Sequence, residues 1–215
     1  MRNYQIRDAP GDGDGDCFFH AIYKVLASKR PRTLAKLCIA CRAIGAKAKK
    51  NTQNTQNTQN SQNICNETAF IVAIRAALSK MIKDHGDCTH GARSKSIVSA
   101  MYAQMMVLSV DEDVYQVVRE NYPSWFMAAF PKASVLRATT EAKFRKVLAR
   151  GVKQRHNYVQ ELELRLVQLL FRRIRIGKIQ VLSGNIDRGE NIVFAKRTLY
   201  LYNRNNVHYL GVYRA

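Results

Sequence analysis

The chain has 215 residues, of which 35 are basic and 16 acidic, giving a net charge of +19 and an isoelectric point near 10.0. A hydrophobic fraction of 47% at this length is enough for one globular domain with a buried core. The apolar runs are interrupted by charge well short of a membrane span, and the first residues lack the apolar core of a signal peptide. We therefore expect a soluble intracellular protein, in the cytoplasm or the nucleus, with no membrane partner.

The first predicted elements are a short strand or extended arm over residues 1–10 and a helix from Cys17 to about Lys29. An alternating Gly and Asp run, Gly11 to Asp16, separates them. Glycines let such a loop turn sharply and expose backbone N–H groups, and Asp16 is a residue type that favours a helix N-cap. Cys17 would then begin the helix, where the positive end of the helix dipole favours a thiolate. Because the same N–H groups can receive an oxyanion, Cys17 is a candidate nucleophile.

Residues 33–50 have the apolar spacing of a second helix. The following tract, residues 51–63, repeats Asn, Thr and Gln and contains no apolar side chain. Such a tract has no apolar surface whose burial would offset the entropy of ordering. We expect a disordered insertion within a single domain that spans residues 1–215.

Helical spacing continues through the middle of the chain, and strand spacing takes over near its end. The bulky apolar segment 125–130, between two prolines, is expected to anchor the core. Further helices are predicted over 67–85, 96–108, 111–121, 139–149 and 158–173, and strands over 178–182, 192–194, 198–202 and 207–214. Helices first and strands last predict the α+β class.

The five cysteines are Cys17, Cys38, Cys41, Cys65 and Cys88. An odd number in a chain without a secretion signal argues against a disulfide framework. Cys38 and Cys41 are spaced like a zinc-ligand pair, with candidate partners at His85, Cys88 and His90. They fall inside a predicted helix, however, and no second pair of metal-site type accompanies them. We therefore expect free thiols, no metal site and no cofactor.

The segment Asp14-Gly15-Asp16-Cys17-Phe18-Phe19-His20-Ala21-Ile22 resembles the cysteine loop of the ovarian-tumour (OTU) family of papain-like cysteine proteases, which are deubiquitinases. Residues 206–212 are similar to that family's histidine strand, and residues 158–166 with 179–181 to its helix and central strand. The resemblance spans almost the whole chain in the family's order. It implies a papain-like fold, with helices packed around a small late β-sheet, and hydrolysis of isopeptide bonds after the C-terminal glycine of ubiquitin or a ubiquitin-like modifier. The repeat tract and single-domain layout look like those of a viral-type member.

The resemblance implies specific roles for residues at both ends of the chain. It assigns the nucleophile to Cys17 and the general base to His208, which lies in a β-rich run. It also assigns Asp14, three residues before the cysteine, to the active site. The backbone of Asp14, Gly15 and Asp16 is expected to form the oxyanion loop with that of the cysteine.

The third catalytic residue stays open at this point. The family usually places Asp or Asn two residues after the histidine, where this chain has Leu210. Asn206 shares the predicted strand face of His208 and is a candidate to orient its ring, as is Asp14. His20, three residues after the cysteine, is expected to pack or cap locally.

Two interpretations from other classes also stay open. One is an OTU-like module that binds ubiquitin or polyubiquitin chains with weak or no catalysis. The other is a basic protein associated with nucleic acid, which charge alone favours. Basic residues are dispersed along the chain and no zinc-finger, RNA-recognition or helix-turn-helix pattern accompanies them. We therefore expect ubiquitin or polyubiquitin as the partner and nucleic acid to bind only non-specifically, if at all.

Overall fold

A computed structural model describes residues 3–7, 15–46, 65–89, 96–154, 161–183, 192–204 and 208–214 of the chain. The protein is a mixed α/β protein, in which helices precede most of the strands as predicted. The predicted insertion at 51–63 lies outside the described residues. The elements are β1 (Tyr4–Arg7), α1 (Cys17–Lys29), α2 (Pro31–Ala46), α3 (Glu67–Lys83), α4 (Ile97–Leu108), α5 (Glu112–Arg119), α6 (Ser124–Ala129), α7 (Ala133–Arg137), α8 (Glu141–Lys153), α9 (Glu161–Arg173), β2 (Lys178–Ser183), β3 (Thr198–Arg204) and β4 (His208–Arg214).

The strands form one sheet in the order β1-β4-β3-β2. The β1–β4 and β4–β3 pairs are antiparallel, whereas β3 and β2 are parallel. One face of the sheet packs on the helices and contributes Ile179, Leu199 and Leu201 to the main core. The other face carries a small apolar cluster of its own, which includes Tyr202 and Leu210.

Helix α1 lies at the centre of the molecule, against β4, α2 and α3. Phe18, Phe19 and Ile22 are fully buried on it, so this helix is apolar around most of its circumference. Each such side chain stabilises the folded state by about 1.5–3 kcal/mol relative to exposure in water. The start of α1, and with it Cys17, is therefore held from several sides.

Side-chain caps explain why the helix starts match the sequence prediction closely. Asn66, Ser96, Asp111 and Thr140 each accept a hydrogen bond from a backbone N–H in the first turn of α3, α4, α5 and α8, respectively. Phe126 and Phe130 are buried, so the apolar segment around α6 does anchor the core.

Two local features differ from the sequence prediction. The short helices α6 and α7 were not predicted as helices, and the predicted strand at 192–194 is wrong because this segment forms no ladder. The Tyr200 hydroxyl instead donates to the Val193 carbonyl and accepts from the Ala195 N–H. A side chain thus satisfies the backbone groups that a neighbouring strand would otherwise take.

The cysteines also correct the sequence prediction. Cys38 in α2 and Cys65 just before α3 form a disulfide, with Cα atoms 6.5 Å apart, so the expectation of free thiols was wrong for this pair. The packing of α2 on α3 brings the two residues together across a sequence separation of 27. Cys17, Cys41 and Cys88 are free thiols, and burial raises the pKa of Cys41 to about 12.

Candidate active site

A cleft of about 1080 Å³ opens beside the first turn of α1, and Cys17 lines it. Its walls come from α4, from the segment that follows α5, from the start of α9 and from one end of the sheet. Elements that are far apart in the sequence therefore surround the cysteine that the sequence predicts as the nucleophile.

The backbone before Cys17 is arranged as the sequence predicts. Gly15 has φ of 72°, a left-handed conformation that glycine adopts without a Cβ penalty. The carbonyl of Asp16 accepts the N–H groups of Phe19 and His20, so helical hydrogen bonding starts at residue 16. Cys17 thus lies at the positive end of the α1 dipole, which favours its thiolate form. The residue is only 4% exposed, so what little access it has is through the cleft.

A row of polar side chains crosses the sheet and faces the same cleft. Ser183 pairs with Asn203, and Asn203 pairs with Tyr209, on the neighbouring strands β2, β3 and β4. Burial raises the pKa of the Tyr209 phenol, and negative charge on Cys17 and on Glu163 raises it further. Sequence reasoning missed this row, because only strand register brings the three residues into line.

The face of β4 that meets α1 is defined by two further contacts. The ring of Tyr209 lies 4.9 Å from that of Phe18, centroid to centroid. A Cβ on Gly211 would lie 2.7 Å from a methyl of Val25, so only glycine permits this approach of strand to helix. Tyr209 and Gly211 therefore point towards α1 and the cysteine.

His208 is the first residue of β4 and directly precedes that face. It pairs with Arg204 and is half-buried. Because side chains alternate along a strand, the register assigns position 208 to the face of Leu210 rather than to that of Tyr209. The structure brings the start of β4 close to Cys17, and among the described residues Tyr209 is the β4 side chain on the cleft wall.

Leu210, the position at which the OTU family usually has its acid, is 1% exposed. It belongs to the apolar cluster on the far face of the sheet, together with Tyr202 and Val212. The other candidates for the third catalytic residue, Asp14 and Asn206, lie outside the described residues.

Asp16 has a different role from the one its residue type predicts. It occupies the N-cap position of α1, but its side chain makes no capping hydrogen bond. The carboxylate is fully buried and accepts from Nε of Arg75, a residue of α3, at 2.7 Å. The side chain thus pairs with Arg75, and the backbone of Asp16 is the part expected to contribute to an oxyanion site.

Arg75 and its second partner, Glu163 of α9, are residues that sequence reasoning missed. A signal for Arg75 was present: it lies on the buried stripe of α3, four residues after Ile71 and three before Leu78. A cation at such a position needs a buried anion. At the start of α9, the helix dipole accounts for the 74%-exposed side chain of Glu161 but not for that of Glu163, at 5%.

His20 contacts the first residue of α3. Its Nδ1 lies 2.7 Å from Oε1 of Glu67, and the two side chains are 13% and 30% exposed. This contact agrees with the local packing role expected from the sequence. His20 also lies one helical turn from Cys17, and the Glu67 carboxylate at its Nδ1 can orient the imidazole.

Within the described ranges, no three His, Cys, Asp or Glu side chains converge as metal ligands. Over the same ranges, no helix combines the length and the apolar character needed to cross a bilayer.

Comparisons with protein-family models, with curated proteins and with solved structures found no match for this chain. Its function is therefore inferred from the residues around Cys17 and from the resemblance of the loop before it to that of the OTU family.

Proposed function

We propose that this protein is a cysteine-type deubiquitinase with a papain-like OTU fold, in which Cys17 is the nucleophile. The observation that carries the proposal is that Cys17, in an OTU-like Gly/Asp loop, begins a buried helix and lines a large cleft. A thiol in this setting is activated by the helix end and reaches a substrate through a shaped opening.

The charges of the cleft favour a peptide substrate over nucleic acid. Among the described residues, its charged lining residues are Glu120, Glu161 and Arg165, and Arg165 is paired with Glu161. In the described part of the chain, the cleft of this protein therefore carries two acids and one base, although the whole chain has a net charge of +19. Such a lining offers phosphate groups little attraction, so any non-specific nucleic-acid binding is expected on other surfaces.

Asn203 provides a second argument for an extended peptide. Its Oδ1 atom is buried and has no hydrogen-bond partner in the described part of the chain. A buried acceptor without a donor is unfavourable. A backbone N–H of a ubiquitin C-terminal tail lying along the cleft would supply that donor.

In the first half of the proposed reaction, His208 removes the proton from Sγ of Cys17. The thiolate then attacks the carbonyl carbon of the terminal glycine of ubiquitin. Backbone N–H groups of Cys17 and of the 14–16 loop stabilise the oxyanion. As the tetrahedral intermediate collapses, the C–N bond breaks and protonated His208 gives its proton to the leaving lysine amine, which leaves a thioester.

In the second half, neutral His208 removes a proton from water, and the hydroxide attacks the thioester carbonyl. The C–S bond breaks, the thiolate is reprotonated by His208, and ubiquitin leaves with a free C-terminal carboxylate. The position of His208 at the start of β4, next to the cleft-lining Tyr209, supports this role. His20, held by Glu67, is the alternative base.

Capture by ubiquitin carrying a C-terminal electrophile tests the proposal. Wild type should form a covalent adduct and cleave di-ubiquitin, whereas Cys17→Ala should do neither at an unchanged melting temperature. His208→Ala should lower turnover by on the order of a hundredfold or more, and His20→Ala by much less. The reverse order would make His20 the base, and binding of ubiquitin without any adduct would indicate a binding module.

A further inference from the structure

The guanidinium of Arg75 reaches from α3 to the two residues that precede Cys17. Its Nε and Nη2 both lie within 2.7 Å of Oδ1 of Asp16, and Nη2 also donates to the Gly15 carbonyl at 3.4 Å. Arg75 and Asp16 are both fully buried. A single side chain therefore holds the backbone and the carboxylate next to the thiol.

The other edge of the guanidinium is anchored in the core. Nη1 donates to the Val152 carbonyl at the end of α8 and to Oε1 of Glu163 in α9, at 3.0 and 3.3 Å. The ring of Phe19 lies 4.7 Å from the guanidinium carbon. Because α1, α8 and α9 all contact this one group, the loop before Cys17 is tied to the rest of the fold through Arg75.

This contact has an electrostatic consequence for Cys17. A buried carboxylate one residue from a thiolate raises the pKa of that thiol unless a cation compensates the carboxylate. Arg75 supplies this cation to Asp16 at hydrogen-bond distance. The pair therefore allows a carboxylate to be buried here without opposing ionisation of the thiol.

It also has a geometric consequence for the oxyanion loop. The C=O and N–H of a trans peptide point in opposite directions. By drawing the Gly15 carbonyl towards itself, Arg75 directs the N–H of Asp16 away from the core. The left-handed Gly15 permits this orientation.

We propose that Arg75 is a positioning residue for Cys17, which acts through Gly15 and Asp16 to hold the loop in its reactive conformation and to keep the thiol readily ionised. The inference rests on the proposed function of Cys17 as a nucleophile. Arg75 itself touches no substrate.

A purely structural role is the alternative, and Arg145 of α8 provides a matched control. It is 4% exposed and, like Arg75, is held by two acids, Asp87 and Glu141. Its remaining partners are the Ile82 carbonyl and two serines, so this network does not include the loop before Cys17. Loss of either guanidinium should disturb the fold, but only loss of Arg75 should change the chemistry of Cys17.

The experiment compares Arg75→Lys and Arg75→Met with Arg145→Lys and Arg145→Met, each at a temperature at which circular dichroism shows it folded. Two quantities are measured: kcat and KM for di-ubiquitin, and the pH profile of iodoacetamide alkylation at Cys17, followed by mass spectrometry of its peptide. Lysine keeps the charge of Arg75 but not its planar fork. We expect Arg75→Lys to lower kcat by about tenfold or more with KM changed by less than about twofold. The alkylation profile of Cys17 should move to higher pH, further in Arg75→Met than in Arg75→Lys.

The Arg145 variants should keep kcat and the alkylation profile within about twofold of wild type. Equal effects in the two pairs of variants, or folded Arg75 variants with wild-type kcat and alkylation, would overturn the proposal. Failure of both Arg75 variants to fold while Arg145→Met folds would also overturn it, in favour of a structural role. The alkylation profile is measured without ubiquitin, so it still tests Arg75 if wild type proves not to cleave ubiquitin.

Discussion

Arg75 and Arg145 are both buried arginines held between two carboxylates, yet the two networks stabilise different parts of the molecule. Arg75 joins α3, α8 and α9 to the loop before Cys17. Arg145 joins α8 to the end of α3 and to Asp87, whose carboxylate also accepts from the Val98 N–H at the start of α4. Both guanidinium groups can be buried because all of their N–H groups have hydrogen-bond acceptors. Whether such a network affects function depends on the segment that it holds, which for Arg75 is the loop before Cys17.

The largest loss of stability is expected when a carboxylate is introduced into the core without a guanidinium to pair with it. Leu210→Asp would place the usual OTU acid in the apolar cluster with Tyr202 and Val212. Loss of apolar burial together with an unpaired charge should lower the free energy of unfolding by roughly 5 kcal/mol, measured by urea denaturation. Leu210→Ala is the control and should cost less. An increase in di-ubiquitin cleavage by Leu210→Asp would show instead that an acid at position 210 contacts the His208 ring in the active protein.

The next largest loss of stability is expected when one of the two guanidinium groups is removed. Arg75→Met and Arg145→Met should each lower the free energy of unfolding by about 3–5 kcal/mol, because each leaves at least one buried carboxylate without its cation. Urea denaturation of the two variants at pH 7 measures the loss. If either variant is as stable as wild type, the network of that arginine contributes little to the stability of the fold, and this prediction is wrong.

Removal of the Cys38–Cys65 disulfide should cause a loss of stability of similar size in a third region of the molecule, outside both arginine networks. Cys65→Ser should lower the free energy of unfolding by roughly 3–4 kcal/mol, given a separation of 27 residues between the cysteines. Addition of a reductant should lower the melting temperature of wild type and leave that of Cys65→Ser unchanged. Alkylation of Cys17 should stay as in wild type. A changed alkylation profile here would mean that any loss of stability perturbs the nucleophile, which would weaken the case for Arg75.

The smallest effect concerns pH and the exposed acid of the Arg145 network. A hydrogen bond from Ser99, and then the Arg145 guanidinium, hold the pKa of Glu141 below its ordinary value of 4.5. A lowered folded-state pKa contributes stability above 4.5, and this contribution is lost as pH falls through the folded pKa. Glu141→Gln should therefore cost a few tenths of a kcal/mol at pH 7 and reduce the acid sensitivity of the melting temperature below about pH 4.5. Identical pH profiles for the two proteins would contradict this assignment.

Much of the local structure follows from the sequence because its causes are local. Capping residues such as Asn66 and Asp111 mark helix starts, and the Gly/Asp loop predicts that α1 begins at Cys17. The candidate nucleophile could be predicted for the same reason. The segment at 192–194 could not, because the Tyr200 side chain replaces the partner strand that its pattern suggests.

The sequence by itself determined the order of the main helices and strands, the cysteine at the start of α1 and the basic surplus of the whole chain. Tertiary structure alone decided which buried groups meet. Arg75 finds Asp16 and Glu163 across separations of 59 and 88 residues, and Cys38 finds Cys65 because α2 packs on α3. In β4 both alternating sets of residues are largely apolar, so periodicity cannot tell which face meets α1. Packing on Phe18 and Val25 selects the face of Tyr209 and Gly211, because contacts between distant segments, and not local propensity, determine the register of a buried strand.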